Sequence, residues 1–118
     1  EFVSDSKRIS ILLNNFISNA IKYHDVNKVS PSIWISVKTT KKEAIIEIKD
    51  NGVGMAKDQL EKIFKMFYRV SSKVMGSGIG LYIVKEVIVK LNGKIEVKSK
   101  LGEGSTFTLK IPNESGRL

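Results

Sequence analysis

An α+β domain is predicted, two layers deep, with helices covering one face of a mixed, mostly antiparallel sheet. Three observations predict it. Two long segments repeat apolar residues at helical spacing, and four short ones alternate at strand spacing. The strands also come as adjacent pairs separated by helices, in the order α, β, β, α, α, β, β, which favours segregated layers.

Each element has its own signal. Asp5, or Ser4, can cap a helix beginning near Ser6. Ile9, Leu12, Leu13, Phe16, Ile17, Ala20 and Ile21 then form an i, i+3, i+4 stripe. The pattern breaks into a polar loop over residues 24–31. Residues 32–40 and 43–49 alternate as strands, joined at Lys41-Lys42 as a hairpin. A short helix is expected over 57–64, followed by the aromatics Phe67 and Tyr68. Residues 79–91 form a strongly apolar helix that Asn92-Gly93 stops. Residues 94–99 and 105–111 alternate again around the turn Gly102-Glu103-Gly104.

The 118 residues form one domain, 1–118, large enough for a genuine core. No run approaches the ~20 apolar residues of a membrane span, and no signal-peptide pattern opens the chain. With no cysteine, disulfides and Cys-ligated zinc are excluded, which suits a cytoplasmic setting. The net charge of +8 invites a nucleic-acid reading, but the lysines are scattered and not interleaved with aromatics. A solvated basic surface that favours anionic ligands fits better, and no nucleic acid is expected. The chain starts almost at a helix cap and reads as an N-terminally truncated piece of a longer protein.

The most telling stretch is Asp50-Asn51-Gly52-Val53-Gly54-Met55. Ala44, Ile46 and Ile48 share one strand face, and Asp50 continues their parity. A carboxylate aimed at the apolar side is costly unless its pKa rises or donors sit against it. The two glycines let the backbone turn tightly and let a ligand approach. Ser105 shares parity with Phe107, Leu109 and Ile111, so its hydroxyl also faces inward and could reach the same ligand.

On the first helix, Asn15, Asn19, Lys22 and Tyr23 fall within an arc of roughly 100° beside the apolar stripe. They are either a solvated polar edge or a ledge for metal-bound phosphates, where an asparagine carbonyl can serve Mg²⁺. Gly76-Ser77-Gly78-Ile79-Gly80 opens the second apolar helix, whose free N–H groups and dipole suit an anion. Neither a dinucleotide fingerprint nor a G-x-x-x-x-G-K-[ST] loop is present.

Together these motifs resemble the ATP-binding catalytic domain of sensor histidine kinases, within the gyrase, chaperone and histidine-kinase ATPase group. Asn15-Phe16-Ile17-Ser18-Asn19-Ala20-Ile21-Lys22-Tyr23 resembles its N box, and Asp50-Asn51-Gly52-Val53-Gly54 its first glycine box. Ile63-Phe64-Lys65-Met66-Phe67-Tyr68-Arg69 is similar to the F box. Gly76 to Leu81 and Gly102-Glu103-Gly104-Ser105-Thr106-Phe107 are similar to the later glycine boxes.

The resemblance implies a Bergerat-type ATP-binding fold and assigns roles. Asp50 accepts from the adenine amino group, with Ser105 beside it, and Gly52 and Gly54 shape the floor. Asn19 binds Mg²⁺ bridging the ATP phosphates. Lys22 contacts phosphate, with Tyr23 and Asn15 as further candidates, and Asn15, Asn19 and Lys22 form the catalytic set. Gly78, Gly80 and Leu81 present backbone N–H groups to phosphate. Arg69 either reaches a phosphate from the lid edge or is a surface charge.

Three departures from the family pattern stand out. The lid, residues 70–75, is short; Met75 stands where relatives often carry glycine; and the strand usually found before the first helix is missing, which leaves an exposed sheet edge.

The implied reaction is donation of the γ-phosphate to a histidine on a separate dimerisation domain of the same parent, in two-component signalling with a response regulator. Any membrane anchoring would come from parts of the parent outside this chain. His24 lacks the helical His-Glu context of such an acceptor and reads as a surface or capping residue. Two alternatives are an ATP-hydrolysing clamp domain and a nucleotide-binding scaffold of the same group. The clamp ATPases carry a water-activating glutamate where Asn15 stands, which argues against the first.

Overall fold

The computed structural model describes residues 3–65 and 80–114. Arg69, Gly76 and Gly78, the 70–75 lid with Met75, and the aromatics Phe67 and Tyr68 lie outside these residues.

Helix α1 spans Ser6–Lys22, and Asp5 is its N-cap. Asp5 Oδ1 accepts the Arg8 N–H at 3.1 Å, and Oδ2 pairs with the Arg8 guanidinium at 2.7 Å. The Arg8 amide, ahead of its guanidinium, lowers the Asp5 pKa from its ordinary value. Leu12 and Phe16 anchor the helix in the core. Ile17 and Ile21, at the far edge of the predicted stripe, are 37% and 67% exposed. Ile21 faces Ile33 of strand β1 (Ile33–Thr39), whose inward Ile35 and Val37 are also exposed. Strand β1 lies at one edge of the sheet, and no described element covers those side chains.

Strand β2 (Glu43–Asp50) returns from β1 through a turn in which Thr40 Oγ1 accepts the N–H groups of Lys42 and Glu43. Helix α2 is Lys57–Leu60, shorter than the predicted segment. The chain beyond it tightens into i→i−3 bonds, Lys62 N–H to Gln59 O and Lys65 N–H to Lys62 O, which end the regular α-helix. Helix α3 is Gly80–Lys90. Its end is a Schellman motif: Asn92 takes φ +57°, its N–H bonds the Val89 carbonyl, and the Gly93 N–H reaches Ile88.

Strands β3 (Lys94–Lys100) and β4 (Gly104–Pro112) complete a sheet of order β1-β2-β4-β3, in which all three pairings are antiparallel. Helices α1 and α3 lie against its inner face. Val84 and Ile88 of α3 are buried with Ile46, Ile48, Leu109 and Ile111, and Phe16 meets Phe107 at 4.9 Å between ring centroids. The α+β, two-layer expectation holds. Its consequence for function is the central position of β4, which sets the end of β2 beside the start of β4 across more than fifty residues of chain.

Candidate nucleotide site

The alternation of β2 carries Asp50 to the site. Ala44, Ile46 and Ile48 are buried, and half-buried Asp50 follows on the same face, in register with Ser105 of β4. Two backbone donors sit against the carboxylate: Oδ1 accepts the N–H of Gly52 at 2.9 Å and of Ser105 at 3.3 Å. Among the described residues Oδ2 has no hydrogen-bond partner. One oxygen therefore orients the group and the other remains open as an acceptor.

The glycines next to Asp50 serve the protein's own backbone, where the sequence suggested room for a ligand. A Cβ on Gly52 would stand 2.5 Å from the Tyr23 carbonyl oxygen, which also accepts the Val53 N–H at 3.0 Å. Gly54 has φ +71°, and a Cβ there would run into the Lys100 carbonyl. The Val53 carbonyl in turn accepts the Gly102 N–H at 2.8 Å. The first glycine turn is thereby stapled both to the end of α1 and to the β3–β4 turn.

The predicted ledge forms where α1 meets the start of α3. A Cβ on Gly80 would lie 2.9 Å from Asn15 Oδ1 and 3.8 Å from Asn19 Oδ1, so both amides face the opening residue of that helix. Asn15 spends its own N–H on the Ile11 carbonyl at 2.8 Å. The Asn19 side chain has no hydrogen bond among the described residues, which leaves its carbonyl oxygen available. The Tyr23 N–H closes α1 on the Asn19 carbonyl at 2.9 Å. Lys22 is exposed at the edge of the ledge, and Leu81, second residue of α3, packs partly on the core. His24 is exposed and donates from Nδ1 to the Ile21 carbonyl at 2.7 Å, a capping role as expected.

A separate cleft of about 300 Å³ opens on the other edge of α1. Ala20, Ile21 and His24 face Pro31, Ser32 and Ile33 across it, with Asp50, Asn51 and Gly52 at one end. Ile21 lies about 200° around the helix from Asn19, so this cleft is not the asparagine ledge. The cleft walls are mainly apolar.

Two residues escaped the sequence reading. Ser99 pairs with Ser105 in register, and its Oγ lies 2.7 Å from Ser105 Oγ, 2.8 Å from the Met55 N and 2.9 Å from the Gly104 carbonyl. Its parity with Ile95 and Val97 was the available signal. Asn51 clasps the loop before β1: its Oδ1 accepts the Ser32 N–H, its Nδ2 donates to Ser30 O, and its carbonyl accepts from Lys28 Nζ. Nothing in the local sequence marks that partner.

The fold is a two-layer α+β domain that brings an inward carboxylate, interlocked glycine turns and two asparagine amides to one end of the sheet and helices. The match to known proteins is more specific. Residues 4–115 match the family described as histidine kinase-, DNA gyrase B- and HSP90-like ATPases, and the chain belongs to that family.

Among curated relatives, it is 37% identical over 115 residues to the sensor histidine kinase AtsR of Burkholderia thailandensis, covering 94% of this chain and 19% of that protein. It is 38% identical over 112 residues to the sensor protein SrrB of Staphylococcus aureus, with 92% and 19% covered. The chain thus spans about a fifth of these relatives. Among solved structures, the mycobacterial sensor histidine kinase MprB superposes with a TM-score of 0.81 at 24% identity, over 95% of this chain and 76% of that one. Full-length ShkA, solved in complex with AMPPNP, gives 0.80 at 26% identity over 95% and 23%. Among the described residues no helix is long and apolar enough to cross a membrane.

Proposed function

We propose that this chain is the ATP-binding catalytic domain of a sensor histidine kinase, which binds Mg-ATP and offers its γ-phosphate to a histidine on a separate dimerisation domain. The observation that carries the reading is Asp50: a carboxylate on the apolar face, held by one oxygen and open at the other. Such a group suits a donor-only partner, and the exocyclic amine of adenine is one. The AMPPNP bound to ShkA and the sensor-kinase relatives support the same ligand class and a two-component partner set, including a response regulator. A cytoplasmic setting belongs to this proposal.

The ledge would receive the phosphates. Asn19 fits Mg²⁺ because its amide oxygen is uncommitted among the described residues, and this ion asks for few protein ligands and keeps several waters. When bound, the ion neutralises charge across the phosphate oxygens. Lys22 would add a positive group at the outer edge, and Gly80, which faces both asparagine amides, would offer a backbone N–H to phosphate together with Leu81. Gly52 and Gly54 act by letting the Tyr23 and Lys100 backbones close on the turn that orients Asp50. Gly78 and Arg69 stay with this proposal as phosphate contacts from outside the described residues.

Phosphoryl transfer of this kind relies on positioning and electrostatics, with the acceptor imidazole as nucleophile. The test is calorimetric titration with ATP and GTP in Mg²⁺. ATP should bind, GTP poorly, and Asp50→Ala should weaken ATP by roughly 10- to 150-fold. Equal binding of the two nucleotides would refute the assignment of Asp50.

A further inference from the structure

Ser99 sits at the junction of three chain segments and has a fully determined hydrogen-bond count. A serine hydroxyl gives one proton and has two acceptor positions. The Gly104 carbonyl, 2.9 Å away, can only accept, so it takes the Ser99 proton. The Met55 N–H, at 2.8 Å, can only donate, so it fills one acceptor position. The remaining contact, 2.7 Å to Ser105 Oγ, must then run from the Ser105 hydroxyl to Ser99.

The consequence falls on Ser105. Its proton is committed sideways, and its oxygen keeps only lone pairs. Ser105 is 8% exposed, stands opposite Asp50 in the β2–β4 register, and gives its backbone N–H to Asp50 Oδ1. Among the described residues neither Asp50 Oδ2 nor Ser105 Oγ has a further partner, and both can now act only as acceptors. A hydroxyl left free to rotate would serve a donor or an acceptor equally well; one whose proton is held cannot.

We infer that Ser99 is a specificity-determining positioning residue: by holding the Ser105 proton it makes this end of the site acceptor-only, selecting a 6-amino purine over a 6-oxo purine. The inference rests on the reading that Asp50 and Ser105 face the base of a purine nucleotide. Ser99 does not touch the base; it acts through Ser105. A 6-oxo purine brings one donor, N1–H, beside its O6, so the oxygen is left against a lone pair, and an unpaired buried acceptor is penalised more heavily than a lost contact.

The test compares ATP with ITP, which carries O6 and N1–H where ATP carries a 6-amine and a bare N1, and which lacks the extra amine of GTP. Binding of both to the 118-residue chain is measured in Mg²⁺ for wild type, Ser99→Ala and Ser99→Thr. Wild type should prefer ATP. Ser99→Ala should lower that preference by about tenfold, chiefly through gained ITP binding, and Ser99→Thr should retain it.

A merely structural Ser99 would weaken both nucleotides alike and leave the ratio unchanged, which would overturn the inference. If Ser99→Ala does not fold, Ser99→Val fills the position with no donor or acceptor; a wild-type ratio there overturns the inference equally. Wild type binding ATP and ITP alike would remove the specificity role while leaving a nucleotide site. Wild type binding neither would defeat both this inference and the proposed function.

Discussion

Asp50 and Ser105 are cross-strand partners on the inner face of the sheet, joined by the Ser105 N–H to Asp50 Oδ1 at 3.3 Å. The strand order produces this pair, since β4 enters between β2 and β3. It brings the two glycine-rich turns together and fixes the carboxylate from the backbone side.

The interlock of those turns predicts unequal glycine costs. Gly54→Ala puts a Cβ into the Lys100 carbonyl at a φ of +71°. Gly102→Ala meets nothing within 4 Å at a φ of +80°. The second substitution should cost only left-handed strain, about 1–2 kcal/mol. The first adds a backbone collision and should cost more than about 3 kcal/mol, or abolish folding. Urea unfolding checks this, and equal losses would mean that the turns do not depend on close approach.

Much of this was legible in advance. Asp5 was readable as a cap, Asn92-Gly93 as a stop, and Asp50 as inward-facing, because each depends on local chemistry or parity. The motif order also pointed to the ATPase family to which the chain belongs. What was not legible depends on pairing between distant segments. Gly52 looked like room for a ligand until α1 brought the Tyr23 carbonyl over it. Ser99 looked like one more residue of an alternating strand until its neighbour proved to be Ser105. The asparagine ledge lies between: the helical arc was computable, but its proximity to Gly80 depended on how α1 and α3 pack.

That ledge predicts a metal-linked phenotype for one asparagine. Asn19→Ala should weaken ATP binding in Mg²⁺ by about tenfold or more and change it little in EDTA. Asn15→Ala should do less, because the Asn15 amide N–H is already committed to Ile11. Titrations in both buffers check the pair. A loss at Asn19 of the same size in EDTA would show that it does not act through the metal.

The central claim is transfer of phosphate to a histidine on another domain, and γ-labelled ATP tests it most directly. The domain is incubated with label alone and then with a separately supplied helical domain carrying an acceptor histidine, while free phosphate is followed. On the motif resemblance Asn15 falls where the hydrolases of the group hold a water-activating glutamate, and such a base is worth typically 10²–10⁴-fold. The expected result is no label on His24, very slow phosphate release, and acid-labile label on the supplied histidine. Stable label on His24, or steady hydrolysis at the rate of a dedicated ATPase without transfer, would contradict the account.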